Sequence, residues 1–166
     1  IQDNSGEIKN EGKVYWKNFR VESTPQKAMN IGLSYRGPKN IYASLDLNYY
    51  SNMYISMSPL YRTDAVLTPG MTKEDVAELR SQEKFNSAYV VNASIGKNWF
   101  IKRQYTLGFS LEMKNLLNDQ AIKTGGYEQV RLLKNKDTSY QTYQPFDSKY
   151  FYMFGSTYYL NLYFRF

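Results

Sequence analysis

Apolar and polar residues alternate with a period of two in five stretches of this chain, the pattern of β-strands with one apolar face. In the last stretch Tyr158, Leu160, Leu162, Phe164 and Phe166 share one face, while Thr157, Tyr159, Asn161, Tyr163 and Arg165 share the other. Before it, Tyr105, Leu107, Phe109, Leu111 and Met113 oppose Thr106, Gly108, Ser110, Glu112 and Lys114. Within 87–101, Tyr89, Val91, Ala93 and Ile95 oppose Asn92, Ser94 and Gly96. Within 41–57, Ile41, Ala43, Leu45, Leu47 and Tyr49 oppose Tyr42, Ser44, Asp46, Asn48 and Tyr50. Within 28–36, Met29, Ile31, Leu33 and Tyr35 oppose Asn30, Gly32, Ser34 and Arg36.

Each stretch runs for about nine residues or more, the length that crosses a bilayer as a tilted strand. A soluble antiparallel sandwich also alternates, but its strands average about 5–6 residues. Aromatic residues gather where the stretches end. Tyr35, Trp99, Phe100, Tyr105, Phe164 and Phe166 sit at one end; Tyr49, Tyr50, Tyr54, Tyr89, Tyr150, Phe151 and Tyr152 sit at or near the other. Two aromatic girdles around an apolar band point to an all-β fold of one kind, an antiparallel transmembrane β-barrel segment.

The connections orient it. GPKN (37–40) and KRQ (102–104) are short; 58–86 and 118–149 are long. Barrels of this type have short periplasmic turns and long outer loops. The long connections are therefore expected outside the cell and the C-terminus in the periplasm. Arg36, Lys39, Lys97, Lys102, Arg103 and Arg165 all fall at the short-turn end, without an acid among them. They account for the whole formal net charge of +6. Basic residues spread over turns and strand ends, with no nucleic-acid-binding motif, predict a solvated rim near lipid phosphates and no nucleic-acid partner.

Between these stretches the signals are local. Residues 13–22 read as an extended outer part of the first strand, with a kink at Thr24-Pro25 because proline lacks a ladder N–H. Within 58–86, Pro69-Gly70 marks a turn, and TKEDVAELRSQEK reads as a short helix. Thr72 caps it, Asp75 completes a relative of the capping box, and Val76 and Leu79 share its packing face. Gly125-Gly126 reads as a hairpin or bulge, since no helix start follows to make a phosphate cradle.

Composition narrows the classes. Aromatics make up 17% of the 166 residues, so the chain is ordered. Its mean hydropathy is -0.61, and no apolar run reaches the length of a spanning helix. There is no Cys, which excludes disulfides and thiolate chemistry, and no His, which excludes a Ser-His-Asp triad built from this chain alone. The chain starts at Ile1 without an initiator Met or signal peptide and reads as a portion of a larger export product.

STPQ, LSYRGPKN, LNYYSN, SPLYRT, RSQEKFNSAY, KNLLNDQAIKTGGYEQ and PFDSKYFYMFGSTYYLNLYFRF, in this order from about residue 13 onward, resemble the C-terminal strands and loops of a TonB-dependent outer-membrane receptor. KNLLND is similar to that family's pattern near the penultimate strand. The resemblance implies a barrel of about 22 strands with a plugged lumen, in the outer membrane of a Gram-negative bacterium. It implies import of a scarce nutrient: an iron chelate, a cobalamin, a glycan or a peptide. This chain would supply about five strands and the two loops. Its partners would be the lipid bilayer, the remaining strands and plug, the barrel-assembly machinery, and TonB through the N-terminal part. No cofactor is expected.

Two groups of site residues follow. Tyr50, Asn52, Tyr54, Arg62, Tyr127, Tyr140 and Tyr143 lie inward or on loops near the outer end, and aromatic and amide groups suit stacking on sugars or flat chelates. The blander alternative is that they are girdle or loop-packing residues. Tyr158, Leu160, Leu162, Phe164 and Phe166 form the apolar face that the assembly machinery would read. No metal site is expected. Asp46, Ser110 and Glu112 lie on the inner face, but without His a structural role outweighs a catalytic one, so a non-enzyme is expected. A small structural or adhesion barrel and a barrel enzyme stay open as alternatives.

Overall fold

The computed structural model describes residues 13–63, 71–102, 104–134 and 141–166. Antiparallel β-structure dominates, and the fold is all-β. In chain order the elements are β1 (Lys27–Arg36), β2 (Ile41–Ser51), helix α1 (Lys73–Arg80), β3 (Ala88–Ile101), β4 (Tyr105–Lys114), β5 (Lys123–Lys134), β6 (Gln141–Tyr152) and β7 (Thr157–Arg165). The five stretches of period two become β1, β2, β3, β4 and β7. They form one sheet in that order, each pair antiparallel. β5 and β6 pair with each other as a second sheet.

Register decides what the alternation produces. Leu33, Leu45, Ala93, Met113 and Tyr158 form one row across the sheet, and Tyr35, Ala43, Ile95, Leu111 and Leu160 form the next. Because side chains alternate faces, matched rows place every apolar set on one face. Ser34, Ser44, Ser94, Glu112 and Tyr159 form a row on the other. That polar face is tied across strands by side-chain hydrogen bonds. Asn30 Nδ2 donates to Asn48 Oδ1 (3.0 Å), and the Ser44 and Ser94 hydroxyls lie 2.8 Å apart.

The sheet is staggered. Ala88–Asn92 pair only with β2, whereas Asn98–Ile101 pair only with β4. β3 therefore runs four residues past the level at which β2 begins, since Ile41 pairs with Lys97. The turn after β1 is closed by Gly37 N–H donating to Ile41 O (2.8 Å), with Lys39 and Asn40 in the left-handed region (φ 59° and 57°). Asn accepts that conformation readily, and Pro38 gives up no ladder bond there.

The chain divides into two compact units. One holds residues 25–53, 85–124 and 151–166, that is, the five-stranded sheet and its adjoining segments. Its buried apolar residues, Met53, Phe85, Ala88, Val90 and Ile122, gather where the long connections leave. There Asn115 is buried and works as a polar hub. Its Nδ2 donates to Asp119 O (3.0 Å) and Phe154 O (2.9 Å), its Oδ1 accepts from Asp119 N–H (3.2 Å), and its carbonyl accepts from Ser156 Oγ (2.7 Å). The KNLLND segment is thus a turn that fastens the end of β4 to the start of β7.

The other unit holds residues 1–24, 54–84 and 125–150. The helix forms where the capping signals place it. Thr72 Oγ1 accepts from Asp75 N–H (3.1 Å), and Asp75 Oδ2 accepts from Thr72 N–H (2.9 Å). Leu79 is buried and Val76 half-buried, as their shared face requires. Ile55 and Met57 complete the apolar interior of this unit with Leu79. Pro69-Gly70 lies outside the described residues.

Two expectations change. The stretch 41–57 ends as a strand at Ser51, because Asn52 adopts φ 55° and breaks the extended path. Residues 13–22 do not extend the first strand. Asn18 (φ 66°) and Ser23 (φ 54°) turn the chain, and Gln82 holds the segment elsewhere by pairing its side-chain amide with both backbone groups of Arg20 (2.8 and 3.0 Å). Most of β5 and β6, which pair with each other, lies within the connection 118–149.

Candidate functional site

The five-stranded sheet presents a continuous apolar face. Along β1, Met29, Ile31, Leu33 and Tyr35 are each exposed. Along β7, Tyr158, Leu160, Leu162 and Phe164 are exposed too, with Leu162 at 70%. Leu45, Leu47, Tyr89, Ile95, Trp99 and Leu107 continue the surface between them. Soluble monomers rarely expose a contiguous apolar patch beyond a few hundred Å². This face is five strands wide and runs the length of each.

Aromatic rings bound the face at both ends. Near the short turns Tyr105 stacks on Phe164 (centroids 5.8 Å, planes 14° apart), Trp99 lies 5.9 Å from Phe109, and Phe164 lies 6.4 Å from Phe166. At the opposite end Tyr49 and Tyr89 are cross-strand partners with rings 4.9 Å apart. Tyr50 and Phe100, counted with the girdles on sequence position, instead have the parity of the polar face. The alternation itself makes that separation, since it already sets Tyr50 opposite the apolar set of its stretch.

The polar face carries the glycines. Tyr42 is the cross-strand partner of Gly96, and Tyr163 that of Gly108. A Cβ at Gly108 would fall 2.6 Å from the Tyr163 hydroxyl oxygen. Each glycine leaves the space in which a tyrosine ring lies across the strand. An open hollow of about 470 Å³ lies beside the first short turn, with Ser34, Arg36, Tyr42, Ser44, Ser94 and Asn98 in its lining.

The residues expected to meet a ligand are divided between the units. Tyr50 and Asn52 belong to the sheet unit, where Asn52 O accepts from Gln26 N–H (3.2 Å). Tyr54, Arg62 and Tyr127 belong to the other. Tyr54 bridges Lys84, and the backbone at Tyr127 bridges Ser56. Tyr127 is 42% exposed. Tyr143 falls on β6, and Tyr140 lies outside the described residues.

Arg62 is inside its unit rather than on its surface, with 2% of its side chain exposed. Its Nη2 donates to Glu128 Oε1 (2.5 Å) and Ser81 O (3.1 Å), and its guanidinium lies 5.8 Å from the Phe19 ring centroid. It acts as the internal tie of three chain segments. Sequence reasoning missed its partner Glu128, since no local spacing links positions 66 residues apart. Tyr150 makes a similar long-range tie, donating to the Glu83 carboxylate at 2.9 Å.

Among the described residues no cluster of His, Cys, Asp or Glu could hold a metal ion. Among these residues, too, no helix is long and apolar enough to cross a membrane, which leaves crossing by strands untouched. No family model, no curated protein and no solved structure matches the chain.

Proposed function

We propose that the five-stranded sheet is part of the wall of an outer-membrane β-barrel, and that the chain is the C-terminal part of a TonB-dependent receptor that imports a scarce nutrient. The carrying observation is the single apolar face, five strands wide, ringed by aromatics and exposed along its length. Lipid satisfies such a face where water does not. The stagger between the two hairpins supports the same reading, because closing a sheet into a barrel requires tilted, staggered strands. So do the edges. Among the described residues β1 and β7 each pair on one side only, and β7 contains neither Pro nor Lys to discourage a further strand.

In this reading the polar face lines the lumen, toward the plug. The short turns lie in the periplasm, and α1 and the paired strands β5 and β6 belong to the outer loops. The receptor assignment rests on the resemblance of the motifs given above. Tyr50 and Asn52 are the candidate ligand contacts on this wall; Tyr54 and Tyr127 are candidates on the loop unit, which Arg62 supports from within. The test is fractionation of the native protein from a Gram-negative host, followed by gel migration with and without heating and in vivo cross-linking to TonB. Outer-membrane recovery, slower migration after heating and a TonB adduct are expected. Recovery in a soluble fraction would overturn the barrel, and an outer-membrane barrel without a TonB adduct would overturn the receptor.

A further inference from the structure

Among the described residues, the apolar face carries one charged side chain at its short-turn aromatic boundary, Lys97. It pairs across the sheet with Ile41 on one side and Phe109 on the other, so its Cβ points to the apolar face. Its Nζ lies 5.0 Å from the centroid of Trp99, two residues nearer the short turns. Among the described residues it has no carboxylate partner. An ammonium on an apolar face, with a ring but no carboxylate beside it, is costly unless it reaches a polar layer or an anion. Lysine at a lipid-exposed position is tolerated near the interface and penalised at the midplane.

The surroundings select the anion. Arg36, Lys39, Lys102 and Arg165 lie at the same end of the sheet, on turns or strand ends, and no acid occurs among those positions. β2 begins level with Lys97, so on that side the residue already stands at the rim of the sheet. Trp99 presents an indole at the same place, and indole rings favour the headgroup layer. An ammonium beside an indole, above an apolar wall and under a basic rim, matches a headgroup phosphate whose acyl chains lie along that wall.

We infer that Lys97 and Trp99 form a binding site for the phosphate of an anionic phospholipid in the leaflet at the short-turn end. This rests on the barrel reading above and adds a specific ligand to one place on the wall. Phosphate attraction of about fivefold in relative affinity is the scale for one lysine near a membrane surface.

The test uses the intact protein in vesicles of phosphatidylcholine that contain either phosphatidylglycerol or phosphatidylcholine brominated on its acyl chains. Trp99 fluorescence is taken as the difference between the protein and its Trp99→Phe variant. Brominated phosphatidylglycerol is expected to quench Trp99 with about fivefold greater effect at equal mole fraction. Lys97→Gln is expected to remove that preference, and Lys97→Arg to keep it. Equal quenching by the two lipids in the unaltered protein, or an unchanged preference in Lys97→Gln, would overturn the headgroup site while leaving the barrel intact. Absence of quenching by either lipid would overturn both.

Discussion

Tyr163 lies across Gly108 of the neighbouring strand, and its hydroxyl donates to the Asn98 amide oxygen one strand further on. The contact joins three strands on the polar face. A side chain at residue 108 must displace the ring and break that hydrogen bond. Gly108→Val is expected to destabilise the sheet by about 1–3 kcal/mol, the usual cost of overpacking. Tyr163→Ala should make a second change to Gly108→Val much less harmful, so that the two effects fail to add. A double-mutant cycle in urea measures this. Strict additivity would show that the ring and the glycine do not share space.

Leu160 and Asn161 are neighbours in sequence on opposite faces of β7. Leu160→Arg puts a charge on the apolar face near the middle of its rows, where lipid exposure costs about 2–4 kcal/mol. Asn161→Arg puts it on the polar face. The yield of folded protein in the outer membrane is expected to fall for the first and to hold for the second. Equal loss from both would sink the assignment of faces.

Asn115 satisfies three backbone groups with one side chain and adopts φ 50°, which few residues other than Gly and Asn accept. Asn115→Ala should cost about 1–3 kcal/mol from unsatisfied buried groups. Asn115→Gly should recover only the conformational part. Hydrogen exchange at the amides of 115–121 and 153–156 is the readout, and faster exchange in both segments is expected.

Arg62 and Glu128 form a pair in which one partner is almost fully buried. Among the described residues Arg62 Nε and Glu128 Oε2 have no further partner. Removing one member of such a pair strands a charge, at about 3–5 kcal/mol. Arg62→Ala is therefore expected to open residues 54–63 and 126–129 to proteolysis while the five-stranded sheet stays protected. The double change Arg62→Met with Glu128→Leu should do less damage than either single one.

Asp75 has its carboxyl held below the usual range by the Thr72 backbone N–H it accepts from and then by the Thr72 hydroxyl. A depressed folded value means the cap is complete above the ordinary carboxylate pKa of about 4. Its contribution is lost as pH falls through the lower folded value. Exchange at the first turn of α1 should quicken over that acid window, and Asp75→Asn should abolish the pH dependence.

Much of the fold was legible because period two is a strong signal when sustained. The polar and apolar sets of β1, β3, β4 and β7 could be named from spacing alone. Thr72 and Asp75 were legible because a capping box is local. What the alternation does not encode is where a strand stops if the break comes from backbone conformation, as at Asn52. It also does not encode long-range capture, as when Gln82 takes the backbone of Arg20 or Glu128 draws Arg62 inward. Lys97 was legible as a rim charge with the parity of Ile95; its closeness to the Trp99 ring and its level with Ile41 and Phe109 were not.

The central claim is that the apolar face of the sheet meets lipid. The chain has no Cys of its own, so single Cys substitutions at each position from Tyr158 to Phe164, carrying a nitroxide, can be read one at a time in the membrane-inserted protein. Collision rates with oxygen should be high at Tyr158, Leu160, Leu162 and Phe164 and low at Tyr159, Asn161 and Tyr163, with the reverse for a water-soluble nickel chelate. High chelate accessibility along both faces, or protection of both faces from oxygen, would contradict the account.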